Sequence, residues 1–228
     1  MEKLSTYLQE LKHNFEQHPF FNYIKTSDGP INQRLRFLPE MAHFVMSFSD
    51  LNKYVLPFVN PSTDLEIAVN MHALEDANHS MWYISDLDTM GFNENVSTTK
   101  NISYLWSDEL APSRILTYEL VGIIKNKPAE ARLAIIEAIE ATGNAFFSIL
   151  TTVTGTAASP VAAKLKYLGA LHLSHETGHT IGSNDNLLDS INFTDSEYLA
   201  VRHDIDKTFA AFYKFIDQLY THLIDQKL

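Results

Sequence analysis

Five of the ten His residues fall in two short windows, His72-Ala-Leu-Glu-Asp-Ala-Asn-His79 and His172-Leu-Ser-His-Glu-Thr-Gly-His179. Imidazole and carboxylate are the donors left for a transition metal when thiolate is absent, and the chain has no Cys. At roughly 100° per residue, His172, Glu176 and His179 sit at about 0°, 40° and −20° on one helix face. His175 falls at roughly −60°, on the edge of that set. In the first window Glu75 lies roughly 40° from His79 and Asp76 roughly 60°, so either carboxylate can share a metal with His79. The plain alternative for each window is a polar, solvated helix face.

A third segment favours metal over solvated charge. Between Arg132 and Lys164 there is no base, and Leu133 to Phe147 is apolar almost all round, with two carboxylates, Glu137 and Glu140. A helix apolar on every side is a buried helix. A buried carboxylate needs a cation or a strong hydrogen bond, because leaving it unpaired costs several kcal/mol. One of the two Glu residues can escape this on a narrow exposed strip; two together are harder to place there. Three carboxylates and three imidazoles on core helices suit iron or manganese, and suit a pair of ions better than one.

A competing motif overlaps the second window. His175-Glu-Thr-Gly-His179 is a literal H-E-x-x-H, and Thr180-Ile-Gly-Ser-Asn-Asp185 imitates a zinc-protease extension with Asp as third ligand. There Glu176 would act as general base beside zinc held by the two His. That reading leaves His172, Glu75, His79 and Glu140 without a role, and it implies a sheet-containing fold.

The elements that must position these groups read as helices throughout. Leu4, Leu8, Leu11 and Phe15 line one face of a first helix ending near His18-Pro19. Leu35 to Phe48 continues the pattern, with Pro39 as a possible kink. Thr63 with Glu66 fits a capping box that opens a long helix from Asp64 to Met90, ended by Gly91. Short helices follow around 102–109 and after Pro112, and Pro128 opens a helix running to about Val153. Another is expected from Pro160 to about Gly182, then a loop from Ser183 to Phe193. Thr194 and Glu197 form a second capping box for a last helix ending near Asp225. No segment alternates at period two, and there is no repeat or linker. The expectation is all-α: one domain, residues 1–228, of about seven or eight helices.

The chain has 228 residues with a formal charge of −11. Such a balance argues against a nucleic-acid partner, since phosphate contacts need clustered Lys and Arg. The start is charged and periodic, without the apolar core of a signal peptide, so a cytoplasmic protein is expected. The longest uncharged stretch, 141–163, has a centre too polar and broken to span a bilayer, so no membrane partner is expected. Phe209, Phe212, Phe215 and Leu219 form a stripe that either packs within the monomer or supports a homodimer.

The chain resembles the heme-oxygenase-like non-heme di-iron oxidases, in particular the group of iron-containing redox enzymes. The residues carrying this are Glu75-Asp-Ala-Asn-His79 with Trp82, Glu137-Ala-Ile-Glu-Ala-Thr-Gly-Asn144, and above all the spacing His172-x3-Glu176-x2-His179. His18-Pro-Phe-Phe-Asn-Tyr23 and the stretch 44–54 also look like this group. The resemblance implies a seven-helix heme-oxygenase-like fold without heme, two Fe(II) ions and O2-dependent oxidation of a small molecule. Carried over by position, the implied metal ligands are Glu75, His79, Glu140, His172, Glu176 and His179, with Asp76 and Glu137 as alternatives to Glu75 and Glu140. A Phe- and Tyr-rich interior then supplies an apolar substrate pocket. A second reading on the same fold is a metal-free small-molecule-binding or regulatory protein; a heme site would need an axial His, and the candidates His13 and His18 read as ordinary helix-end residues.

Overall fold

A helix forms where apolar residues recur on one face and the ends find hydrogen-bond partners, and both conditions recur along this chain. The computed structural model describes residues 2–93, 96–157, 159–178 and 185–225, with side chains undescribed at 175–178, 185 and 186. Helix α1 (Leu4–Glu16) buries Leu4, Leu8 and Phe15. His18 then caps α2 (Pro19–Thr26), its Nδ1 accepting the Phe20 N–H at 3.2 Å. A short α3 (Ile31–Arg34) and a 3-10 turn (Leu38–Met41) lead into α4 (Ala42–Tyr54). Pro39 lies in that 3-10 turn rather than kinking a longer α-helix.

Thr63 and Glu66 make the expected capping box on α5 (Asp64–Asp76). The long helix anticipated to Met90 is divided, however, into α5 and α6 (Ser80–Thr89). At the join the bonding tightens: His79 N–H reaches the Asp76 carbonyl and Trp82 N–H the His79 carbonyl, three residues back. After α7 (Thr98–Leu105) and α8 (Ala111–Ile124), Pro128 caps α9 (Ala129–Thr156). Helix α9 is long and apolar enough to cross a membrane by length and composition, but most of its apolar window is buried in the fold. Around it pack α1, α2, α5, α10 (Ala170–Gly178), α11 (Asp185–Ser190) and α12 (Asp195–Asp225).

Helix α12 carries the second capping box, Thr194 N–H reaching Glu197 Oε2 at 2.8 Å. It packs on α8 and α9 and buries Phe209, Phe212, Phe215 and Leu219. That stripe is core and offers no dimer face. The chain is all-helical among the described residues, in more and shorter segments than the seven or eight expected. Two corrections carry weight for the site. The helix expected from Pro160 starts at Ala170, after a 3-10 turn (Ala162–Lys164) and an irregular stretch. The expected loop 183–193 contains α11.

Candidate metal centre

Helices α5 and α9 cross with polar groups facing each other inside an otherwise apolar contact. His72 and Asp76 are one turn apart on α5, and both are buried. His72 Nε2 lies 3.1 Å from Asp76 Oδ2 and 3.4 Å from Glu140 Oε1 on α9. Ligand atoms of His72, Asp76 and Glu140 all fall within 4.8 Å of one another, close enough to share an ion. Burial alone would lower the His72 pKa, but hydrogen bonds to Asp76 and Glu140 and their charges hold it well above the usual value. Two carboxylates converging on one buried imidazole are a place that attracts positive charge.

Asp76 links this group to a second one. Its other oxygen, Oδ1, lies 3.6 Å from His79 Nδ1, and His79 Nδ1 lies 3.1 Å from His172 Nε2. The five side chains therefore form a chain, Glu140–His72–Asp76–His79–His172, with Asp76 at the middle. His79 stacks on Trp82 at 4.7 Å, and Phe147 packs on His172 at 4.1 Å, so the imidazoles are fixed by aromatic walls.

His172 is aimed by backbone. Its Nδ1 meets the Tyr167 carbonyl at 2.9 Å, which sets that nitrogen as the N–H and leaves Nε2 with its lone pair toward His79. The Tyr167 carbonyl is in turn held by a buried acid. Asp86 of α6, with no exposed surface, accepts the Lys166 N–H at 2.7 Å and the Leu168 N–H at 2.9 Å. Burial pushes the Asp86 pKa up, and these backbone bonds oppose the shift. The capture of residues 166–168 is the physical reason that α10 begins ten residues after Pro160. Gly169 completes the turn: a Cβ there would lie 2.1 Å from the Leu165 carbonyl oxygen.

Of the residues named from sequence, His79, Glu140 and His172 are brought together, with the alternative Asp76. Glu75 is exposed, about 100° round α5 from Asp76, and is not in the group formed by the described residues. Glu137 is 8% exposed, one turn before the half-buried Glu140 on α9, so neither of these two residues sits on an open strip. The side chains of His175 and Glu176, and His179 altogether, lie outside the described residues, as does the H-E-x-x-H motif they compose. His72 was missed, although a signal existed. His72-x3-Asp76-x2-His79 has the same spacing as His172-x3-Glu176-x2-His179.

No family model matches the chain, and no curated protein does. Among solved structures it is similar to a domain of unknown function with a heme oxygenase-like fold from Shewanella denitrificans. The two share 16% identity with a TM-score of 0.65, over 99% of this chain and 93% of that one. The fold is heme-oxygenase-like.

Within this heme-oxygenase-like bundle the His residues near the start of the chain are otherwise engaged. His13 is exposed. His18 caps α2 through Nδ1 and meets Asp217 through Nε2 at 3.0 Å. Beside the His/carboxylate chain, an empty space of about 700 Å3, part of it open to solvent, is walled by aromatic and aliphatic groups of α1, α4, α9 and α12. His79, Glu140 and His172 line one part of it.

Proposed function

We propose that the chain is an O2-dependent non-heme di-iron oxidase or oxygenase acting on a small molecule. The observation that carries this is the position of Asp76 between two imidazole groups, one oxygen toward His72 and Glu140, the other toward His79. With His72, Glu140, His79 and His172 around it, a carboxylate so placed would help to hold a pair of ions. Glu176 and His179, one and two turns beyond His172 by spacing, complete the proposed set. Asp76 takes the role the resemblance gave to Glu75, because Asp76 is buried beside His72 and Glu140 while Glu75 is exposed.

The residues fit the group chemically. The donors are nitrogen and oxygen, Asp76 is buried and Glu140 half-buried, and His72 stands where a cation is favoured. When bound, ferrous ions at this site would supply electrons to O2 and hold it near the substrate. The chain's own groups do the rest. Trp82, Phe147 and Tyr167 pack the imidazoles and keep bulk water from them. The Tyr167 carbonyl holds a proton on His172 Nδ1, so that Nε2 is available as a donor.

A metal-free small-molecule-binding or regulatory protein on the same fold is the second reading. It is favoured by one observation: the His72 imidazole already pairs both Asp76 and Glu140. Anaerobic reconstitution with Fe(II), desalting and iron analysis separates the two. About two irons per chain, with an absorbance change when O2 is mixed in, supports the oxidase. A protein that retains no iron leaves the binding reading.

A further inference from the structure

The space beside the His/carboxylate chain has an uneven wall, and the unevenness describes a ligand. Phe15, Phe44, Phe48, Phe146, Phe212 and Phe215 supply most of it. Among the described residues no Lys or Arg lines it. The charged or potentially charged groups among them, other than Tyr167, are His79, Glu140 and His172, all belonging to the proposed metal centre. Besides Tyr167, three hydroxyl residues belong to the lining, Ser49, Ser80 and Thr142. Thr142 spends its proton on the Ile139 carbonyl of its own helix, at 2.7 Å. Ser49 and Ser80 bond each other at 2.7 Å. Whichever of the two donates in that bond, one O–H of the pair remains to donate elsewhere. Ser80 is next in sequence to His79, so this spare donor sits at the metal end.

We propose that the pocket takes a single-headed apolar molecule: an aryl or alkyl body lying among the Phe rings, with one hydrogen-bond-accepting group at the Ser80 end. The choice of a site for oxidation rests on the di-iron reading; the choice of ligand class rests on the wall. A second charged or strongly polar group on the body would have no partner among the rings, and stranding it there costs several kcal/mol. An amino-acid-like zwitterion or a cationic head is disfavoured for the same reason, because Glu140 is already paired with His72.

The test is calorimetric titration of the full chain, metal-free and anaerobically Fe(II)-loaded, with four probes. These are 4-phenylbutan-1-ol, 4-phenylbutanoate, 4-phenylbutylammonium and phenylalanine. The alcohol should bind the metal-free protein at least tenfold more tightly than phenylalanine or the ammonium, and the carboxylate should match it only in the Fe(II)-loaded protein, where the ions would offset its charge. Narrowing the wall with Val45→Phe, a residue of the lining, should weaken alcohol binding by tenfold or more while helical content and melting temperature hold. Phenylalanine or the ammonium binding as tightly as the alcohol would overturn the assignment. So would protein that retains iron yet binds none of the four, and in that case the di-iron reading stands alone. Retained alcohol binding in a protein that takes up no iron supports the ligand class while removing the oxidase.

Discussion

Replacing Asp86 with Ala should weaken a metal site that Asp86 does not touch. The carboxylate is fully buried and accepts the N–H groups of Lys166 and Leu168. Each buried N–H left without an acceptor costs about 1–3 kcal/mol. Two such losses, less the relief of no longer burying an acid whose pKa is raised, give about 2–4 kcal/mol of stability. Asn retains one acceptor oxygen and should cost about half as much. The same bonds hold Tyr167, whose carbonyl fixes the His172 tautomer. Iron affinity should therefore fall by about 10–100-fold, the usual cost of losing an outer partner of a ligand. Tyr83→Phe is the control. It removes a buried O–H donated to the Leu38 carbonyl at 2.7 Å, costs about 1–2 kcal/mol, and should leave iron affinity unchanged. Urea unfolding and competitive Fe(II) titration on the three variants read both quantities. An Asp86→Ala protein that binds iron as tightly as the parent would refute the reasoning, whatever its stability.

Gly169→Ala places a Cβ against the Leu165 carbonyl and should displace the same turn, lowering both melting temperature and iron affinity in the same titrations. His72→Ala should reduce iron uptake to about one ion per chain, read by metal analysis after desalting, whereas full uptake would return His72 to a structural role. Metal-free protein should lose stability as pH rises above neutrality. The folded His72 pKa is raised by Asp76 and Glu140, so its contribution is complete below about 6.5, the free imidazole value, and disappears as pH passes the folded value. Thermal melts of metal-free and His72→Ala protein across pH 6 to 9, a window set around that value, check this, and parallel pH profiles would contradict it. Arg132 donates to the carbonyls of Val55, Leu56 and Lys127 and stacks on Phe58 at 4.0 Å. Arg132→Lys should cost about 2–4 kcal/mol in urea unfolding, because a single ammonium cannot serve that fork.

What could be read from the sequence was local. Helix periodicity, the capping boxes at Thr63 and Thr194, and the buried character of α9 each depend on residues within a few turns of one another. The His79 and His172 windows were readable for the same reason, whereas Glu140 was preferred to Glu137 only through the family resemblance. What escaped depends on contacts distant in sequence. Asp86 holds Lys166 and Leu168, eighty residues on, and so decides where α10 begins. Glu75 and Asp76 are neighbours in sequence, and both suit a metal by spacing. Burial separates them, because the α5–α9 contact favours the residue that shares a face with His72. His72 itself was available in the repeated spacing of the two His windows.

The central proposal is that Asp76, with His72, Glu140, His79 and His172, would hold a pair of ions where α5, α9 and α10 meet. Anomalous diffraction at the iron edge, from crystals of anaerobically loaded protein, tests it most directly. The account predicts two peaks in the core, one beside His72 and Glu140 and one beside His79 and His172, each within coordination distance of an Asp76 oxygen. Iron density confined to the surface, with His72 still paired to Asp76 and Glu140 in an iron-saturated crystal, would contradict it.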